Sequence, residues 1–260
     1  MLSYQHGFHA GNRADVLKHA ILHEVLLELK AARKDIFYVE THSGRGVYDL
    51  TGEQANKTGE AKEGVLEMLD NKAPKPLSAW LKRVQKSGPR AYPGSPAIAA
   101  SCLGPDDRMI LFEKHPQEYD ALHNAMKHDK RTQVKRADGY SSALKLAPRR
   151  NEQMVVLVDP SYETTRDMDA LAEWAPRALR RWPHAIMLIW LPLFRDEREQ
   201  DFGAYLSELE AGTIAGARWP IDPYSESSLS GTAMVAYRIS ESNGQKITRI
   251  ATSLQSYWAD

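Results

Sequence analysis

The sequence predicts an α/β fold with a mostly parallel, doubly wound sheet, an antiparallel C-terminal hairpin and a small helical insertion. Short apolar runs and helical segments take turns along most of the chain, which is typical of a parallel sheet covered by helices. Near the C-terminus two strand-like runs follow one another without a helix between them, and this predicts the hairpin. A chain of 260 residues is long enough for one large α/β domain with an insertion.

The composition excludes several classes of protein. With 34 basic and 34 acidic residues the formal net charge is zero, so bulk charge does not point to a nucleic-acid partner, although a local basic face fits equally well. A single cysteine, Cys102, excludes an internal disulfide framework and a multi-cysteine zinc site. No stretch approaches the ~20 apolar residues that cross a bilayer, and no signal peptide is evident. We therefore expect a cytoplasmic protein without a membrane partner.

The N-terminal region predicts a helix followed by a buried strand. Apolar residues at helical spacing extend from Asp15 to Leu29, and either Asn12 or Asp15 is available as the cap. The run 36–39 is a short apolar strand, which a glycine-bearing turn ends. The chain thus enters the sheet directly after its first helix.

A segment of different character follows, and we predict it to be an inserted small helical subdomain over residues 49–91. It starts polar and rich in glycine, and two short amphipathic helices are expected at 65–69 and 77–84. Residues 1–48 and 92–260 would then form the main domain. The main domain resumes at a helix start with Ser95 as N-cap and Pro96 at the first helical position.

From here the predicted elements alternate to the end of the sheet. We expect strands at 109–112, 133–136, 154–158 and 185–190, helices at 116–126, from 140, at 169–181 and 197–210, hairpin strands within 213–221 and 231–240, and a last helix containing Ile247 to Trp258. In such a sheet ligands bind beyond the carboxyl ends of the strands. Side chains at these ends are therefore the candidates for a functional site.

Acidic residues lie at four of these strand ends. Glu40 precedes "THSGRG", in which Gly44 and Gly46 permit a tight turn and close approach to a ligand. Glu113 ends "RMILFE", where a carboxylate is placed to accept both hydroxyls of a ribose. Each has an ordinary alternative, a turn for the glycines and a solvated acid for Glu113.

Another of these acids follows the most apolar strand of the chain. Asp159 heads "DPSYE", and Asp138 lies at the preceding strand end. A carboxylate and the fixed carbonyl of Pro160 can accept both hydrogens of an exocyclic amine, while Tyr162 stacks on the base, which is worth ~1–3 kcal/mol. Alone, this motif is more often a helix-starting turn.

The order of these motifs is that of an S-adenosylmethionine-dependent amino-methyltransferase. A nicotinamide enzyme would show Gly-x-Gly-x-x-Gly, but position 49, where the last glycine would stand, is Asp. Cys102 lies outside any Pro-Cys loop that would supply a covalent nucleophile.

Several phrases together resemble the bacterial 23S ribosomal RNA adenine-N6-methyltransferases. They are "LSYQHGFHAGNRADVLKH", "ETHSGRGVYDL", "YPGSP", "FEKHP", "RADGY" and "DPSYE". The resemblance implies a Rossmann-like S-adenosylmethionine methyltransferase fold with S-adenosyl-L-methionine as cofactor. It also implies methylation of the N6 amine of an adenine in 23S ribosomal RNA.

The resemblance implies a role for each matching residue. The cofactor-binding set would be Lys18, His19, His42, Gly44, Ser95, Glu113, Asp138 and Gly139. Glu113 would hold the ribose, and Asp138 with Gly139 the adenine of the cofactor. Asp159, Pro160 and Tyr162 would be catalytic, and Asp159, Tyr162 and Tyr4 would contact the substrate nucleotide.

One position departs from the family pattern. Ser161 stands where the family has a second proline. A serine keeps the Pro160 carbonyl but loosens its loop, so we expect a less preorganised but active site. Alternatively, Ser161 caps the following helix and preserves the loop in that way.

The expected partner is 23S ribosomal RNA, as free RNA rather than in the assembled ribosome, without an obligate protein partner. The target base must leave its stack, and basic residues, several of them in the insertion, are candidates for phosphate contacts: Arg45, Lys57, Lys62, Lys82, Arg83, Lys86 and Arg90. Two rival hypotheses are a non-catalytic RNA-binding protein disabled at Ser161 and an amino-methyltransferase for DNA or a small molecule. His19 and His23 are one helical turn apart, but no zincin glutamate follows His19, so we predict no metal site.

Overall fold

The structure is a computed structural model that describes residues 6–220 and 228–259. Tyr4 falls outside these ranges. The described strands are β1 (Asp35–Glu40), β2 (Val47–Asp49), β3 (Ala91–Pro93), β4 (Arg108–Glu113), β5 (Thr132–Arg136), β6 (Glu152–Val158), β7 (Ile186–Phe194), β8 (Gly212–Arg218) and β9 (Leu229–Tyr237). The described helices are α1 (Arg13–Ala31), α2 (Glu53–Thr58), α3 (Val65–Asp70), α4 (Ser78–Gln85), α5 (Ser95–Cys102), α6 (Pro116–Met126), α7 (Gly139–Ala143), α8 (Thr165–Arg181), α9 (Gln200–Leu209) and α10 (Glu241–Ala259).

Seven of the described strands form one sheet in the order β5-β4-β1-β6-β7-β9-β8. The first five are parallel, and β9 is antiparallel to both of its neighbours. This confirms the predicted α/β class and the C-terminal hairpin. Within the described ranges, no helix has the combination of length and apolar character that a bilayer span requires.

The sheet is buried on both faces because its strands send alternate residues into two cores. On β1, Ile36 and Tyr38 face the core that α1 and α10 cover, and Phe37 and Val39 face the core beneath α8. Burial on both faces explains why these strands are continuous apolar runs rather than alternating ones. Their carboxyl ends meet at one edge of the sheet.

Helix α1 begins as the sequence predicts. The Asn12 side chain accepts a hydrogen bond from the Asp15 backbone N–H at 2.9 Å, so Asn12 is the cap and Asp15 is left for another task. The predicted start of α5 is displaced by one residue. Gly94 is its N-cap and Ser95 its first residue, so the expectation that Ser95 caps this helix is wrong.

The segment after β1 leaves and rejoins the main domain at one place, because β2 pairs antiparallel with β3. Helices α3 and α4 occupy the two predicted positions, and α2 adds a third. Val65 and Trp80 belong to the same core as α1. We interpret residues 49–91 as an inserted helical subdomain, and this division stays a prediction.

Strand β7 extends past its parallel neighbour. Residues 186–189 pair with β6, whereas 190–194 continue along β9 alone. Because residues two apart point the same way, Trp190, Pro192 and Phe194 share one side of this extension, and all three line the cleft described below.

Candidate active site

A cleft of about 650 Å³ opens at the carboxyl ends of the parallel strands. Its volume lies in the range of small-molecule sites. Every predicted site residue within the described ranges lines it, namely Lys18, His19, His42, Gly44, Ser95, Glu113, Asp138, Gly139, Asp159, Pro160 and Tyr162. The structure therefore brings these side chains together, and their individual roles stay predictions.

Two glycines make the cleft possible. At Gly139 an added Cβ would overlap the backbone carbonyl of Thr41, so the loop after β5 packs directly on the loop after β1. Gly44 has φ +59°, in the left-handed region, and an added Cβ would overlap the Tyr48 hydroxyl. These positions hold the two loops close enough for one ligand to contact both.

Backbone N–H groups hold the carboxylate of Glu113 on one side of the cleft. The Glu113 carboxylate accepts the Gly44 N–H at 2.8 Å and the His115 N–H at 2.7 Å. Burial raises the pKa of Glu113, and the two N–H groups partly oppose this rise. Both donors belong to loops at strand ends, so the orientation of this side chain is set by the backbone.

Asp138 is held in the same way. It caps α7 and accepts the Ser141 N–H and hydroxyl, both at 2.9 Å. Partial burial opposes ionisation, but the Ser141 hydrogen bonds prevail and lower the pKa of Asp138. We call the region around Glu113 and Asp138 the cofactor half of the cleft.

Three polar atoms that line this region have no protein partner among the described residues. They are Ser43 Oγ, the Nδ1 atom of His115 and the Tyr140 hydroxyl, all buried. Buried polar groups ordinarily have a hydrogen-bond partner, which here must be a ligand or water. Together with the two carboxylates they fit a ligand with several donors and acceptors, such as S-adenosyl-L-methionine.

In the other half of the cleft, the acid is Asp159, and a lysine side chain holds it. Lys18 Nζ donates to Asp159 Oδ2 at 2.6 Å and lies 3.0 Å from Asp15 Oδ1. Asp15 Oδ2 also accepts the Gly11 N–H at 2.8 Å and lies 2.9 Å from His6 Nε2. We call the region around Lys18 and Asp159 the substrate half.

In this network each charged group favours the ionised form of the oppositely charged group beside it. Burial alone would lower the pKa of Lys18, but Asp15 and Asp159 raise it above its ordinary value. Burial would raise the pKa of Asp15, but the neighbouring His6 and Lys18 hold it well below the usual range. Lys18 is therefore a buried ammonium between two carboxylates, a contact that the sequence did not predict.

The two predicted cofactor-binding histidines are neutral. Burial lowers the pKa of His19 to about 3 and that of His42 to about 4. His19 Nδ1 lies 2.7 Å from the Tyr92 hydroxyl, and His42 Nδ1 lies 2.8 Å from Thr41 Oγ1. Within the described ranges, no group of three or more His, Cys, Asp or Glu side chains is placed to share a metal ion.

Glu40 takes part in the site from behind the cleft. It is fully buried, it accepts hydrogen bonds from Tyr38 at 2.9 Å and from Ser95, and burial raises its pKa to about 8. Ser95 is thereby tied to the end of β1. The sequence placed Glu40 at a strand end but gave no sign of its burial.

Two aromatic rings form the wall beside Asp159. Tyr162 has φ +52°, is buried, and donates its hydroxyl to the Trp190 carbonyl at 2.7 Å. Its ring meets the Trp190 ring edge-on at 5.4 Å. Trp190 is half-buried, packs against the hydrophobic cores and also lines the cleft.

Ser161 also lines the cleft, next to Pro160. Helix α8 is capped by Thr164, whose N–H donates to Asp167 Oδ2 at 3.0 Å. The alternative that Ser161 caps this helix is therefore wrong. Within the loop 159–163, the hydrogen bond from the Tyr162 hydroxyl to the Trp190 carbonyl is the anchor that the structure shows.

Comparison with known proteins places this site in a family. A family model described as "Ribosomal RNA large subunit methyltransferase D, RlmJ" matches residues 33–256. The chain is 39% identical over 199 residues to "Ribosomal RNA large subunit methyltransferase J" of Haemophilus influenzae, which covers 74% of this chain and 71% of the relative. It is 37% identical over 219 residues to the Escherichia coli protein of the same name, which covers 82% of this chain and 77% of the relative.

A crystal structure of a protein from Legionella pneumophila has the same fold. The two superpose with a TM-score of 0.85 and 27% identity over 96% of this chain and 94% of that one. The family match spans the sheet and the cleft residues from Thr41 onwards. The chain belongs to the family of ribosomal RNA large subunit methyltransferases described as RlmJ.

Proposed function

We propose that the protein transfers the methyl group of S-adenosyl-L-methionine to the N6 amine of an adenosine in 23S ribosomal RNA. Family membership confirms the predicted enzyme class and cofactor. The observation that carries the choice of an amine is Asp159, whose carboxylate accepts an N–H donor, that of Lys18, at 2.6 Å. An exocyclic amine offers the same kind of donor to the same oxygen.

The residues of the substrate half would orient the amine. Asp159 and the Pro160 carbonyl accept its two hydrogens, which draws the nitrogen lone pair out of conjugation with the ring. Tyr162 and Trp190 supply the apolar wall for the base, and Lys18 keeps the Asp159 carboxylate in place until the amine arrives. The nitrogen gains a methyl group and loses one proton, for which Asp159 is an acceptor within reach.

The residues of the cofactor half would hold S-adenosyl-L-methionine. Glu113 and Asp138 offer carboxylate oxygens to hydroxyl and amine hydrogens, and Gly139 lets its loop pack directly on the Thr41 loop, which brings both loops to the same ligand. When bound, the cofactor supplies a methyl group on a positively charged sulfur, ready for transfer without a covalent enzyme intermediate. The neutral His19 and His42 add no positive charge to the cleft.

The depth of the site indicates the state of the substrate. The Asp159 side chain is 14% exposed, so an adenine must leave its stack to reach it. Unpaired bases in loops or at ends are extracted most easily. We therefore favour free 23S RNA over the assembled ribosome. A ribosomal RNA substrate would in turn place the protein in the bacterial cytoplasm.

The test is methyl transfer from labelled S-adenosyl-L-methionine to 23S RNA purified from a host that lacks this activity. Nucleoside mass spectrometry would identify the product, with Asp159→Ala assayed in parallel. We expect N6-methyladenosine from the native protein and at least a ~100-fold lower rate from the variant, whose cofactor affinity should be nearly unchanged. Another methylated nucleoside, or full activity without Asp159, would contradict the proposal.

A further inference from the structure

The rim of the substrate half carries a stacked pair of side chains outside the proposed target pocket. The Arg198 guanidinium carbon lies 3.6 Å from the centroid of the Phe194 ring. Phe194 is the last residue of the β7 extension, on the same side as Trp190, and both members of the pair line the cleft. The Arg198 side chain is 45% exposed, so Phe194 covers only part of it.

The loop beneath this pair is held from several sides. The buried carboxylate of Glu199 accepts the Phe194 N–H at 3.0 Å and a guanidinium N–H of Arg218 at 2.9 Å. Arg218 also donates to the Phe194 carbonyl at 3.1 Å. Both backbone polar groups of Phe194 are thus fixed, and the ring is a rigid support for Arg198.

Arg198 differs from the other cations of the cleft in its charged neighbours. Within the described part of the chain, the Lys and Arg residues that line it are Lys18, Lys114 and Arg198. Lys18 is buried against two carboxylates, and Lys114 lies 3.6 Å from Asp138 in the cofactor half. Arg198 is in the substrate half, where its exposed partner Asp196 is 3.1 Å away. An exposed ion pair of this kind is weak and exchanges readily.

From this geometry we propose that Arg198, held over the Phe194 ring, stacks against the base of a nucleotide adjacent to the target adenosine. The inference rests on the proposed function and adds a subsite to it. The guanidinium carbon lies over the Phe194 ring at 3.6 Å, and the exposed part of the Arg198 side chain is available to a base. Arginine planes and aromatic rings are common stacking partners of unpaired bases. The neighbour of an extracted adenine loses a stacking partner in the RNA and gains one here.

The test uses a short synthetic RNA that the native protein methylates. We expect Arg198→Ala and Arg198→Lys each to raise the KM for RNA roughly five- to tenfold, with kcat within about twofold and cofactor affinity unchanged. Lysine keeps the charge but not the plane. Arg181→Ala is the matched control, because Arg181 is exposed at the far end of α8, roughly 24 Å along the helix from its start, and should leave KM unchanged.

A second experiment removes the RNA base, which is the other partner in the proposed contact with Arg198. RNAs with an abasic site immediately 5′ or 3′ of the target should show which neighbour stacks, because on one of them the native KM rises and Arg198→Ala adds no further loss. A penalty for Arg198→Ala that persists on both abasic RNAs, or native behaviour of Arg198→Lys, would overturn the proposal. If the native protein methylates no adenosine, the proposed function fails instead.

Discussion

The two halves of the cleft hold their acids by different means. In the cofactor half, Glu113 is fixed by the backbone N–H groups of Gly44 and His115. In the substrate half, Asp159 is held by the side chain of Lys18. A backbone donor leaves its acceptor only if the loop refolds, whereas a lysine moves by rotating its own bonds. The cofactor half is therefore preformed, and the substrate half contains an exchangeable donor.

This contrast suits the two tasks. A cofactor that is used in every turnover benefits from a site that costs little reorganisation. The target amine, in contrast, must find an acceptor that is charged and correctly oriented but not permanently occupied. Lys18 meets this need because Asp15 offers its ammonium a second carboxylate, 3.0 Å away, when Asp159 takes another donor.

Removal of the exchangeable donor should have the largest effect. Lys18→Met leaves Asp15, which is fully buried, without the ammonium group 3.0 Å from its Oδ1 atom. Breaking a buried ion pair from one side costs about 3–5 kcal/mol, and we expect a loss of that size in the free energy of unfolding by urea denaturation. Lys114→Met is the control, since Lys114 is exposed and should change stability by less than about 0.5 kcal/mol. Equal, small losses for both would mean that the network is not structurally important.

Removal of the charge from the preformed half should affect binding alone. We expect Glu113→Gln to weaken S-adenosyl-L-methionine binding by about 1.5–3 kcal/mol, measured by calorimetry, because a charged acceptor is lost. RNA affinity should not change. Glu173→Gln, at an exposed position on α8, serves as the control. Unchanged cofactor affinity in the Glu113 variant would show that this carboxylate does not contact the ligand.

The buried acid behind both halves should make stability depend on pH. The pKa of Glu40 is raised to about 8 in the folded protein from an ordinary value of 4.5, so its stabilising contribution is full below about pH 4.5 and is lost as pH rises through about 8. Glu40→Gln stays neutral throughout. We expect the difference in Tm, variant minus native protein, to increase by about 3 °C or more between pH 5 and pH 9. A Tm difference that is constant with pH would contradict the assignment.

The smallest effect is expected from Ser161→Pro. Thr164 caps α8, so Ser161 has no capping role that proline would remove. A stiffer loop should raise the rate of methyl transfer by no more than about threefold. A rate well below that of the native protein would show that residue 161 must move during the reaction.

Much of the fold followed from the sequence because burial on both faces makes each parallel strand a recognisable apolar run. The cleft followed from the same pattern, since the carboxyl ends of parallel strands meet at one edge. Glu113, Asp138 and Asp159 are brought together for this reason. Their assignment to individual contacts came from family resemblance rather than from the pattern.

The parts that escaped prediction depend on tertiary contacts. The link between Lys18 and Asp159 joins residues 141 positions apart and requires α1 to pack over the sheet edge. Trp190 lines the cleft because β7 extends beyond the end of β6. The length of a strand relative to its neighbour is not encoded in the local sequence. The raised pKa of Glu40 arises from its burial, which no nearby sequence feature predicts.

The distance along the chain between Lys18 and Asp159 has a consequence for biosynthesis. The N-terminal helix emerges from the ribosome first, but its ammonium has no carboxylate to hold at the active site until β6 and the loop after it have been made. Strand β1 likewise lies between β4 and β6, both of which are synthesised later. The amine-binding site is therefore completed late, and a nascent chain with only its first half exposed cannot modify RNA.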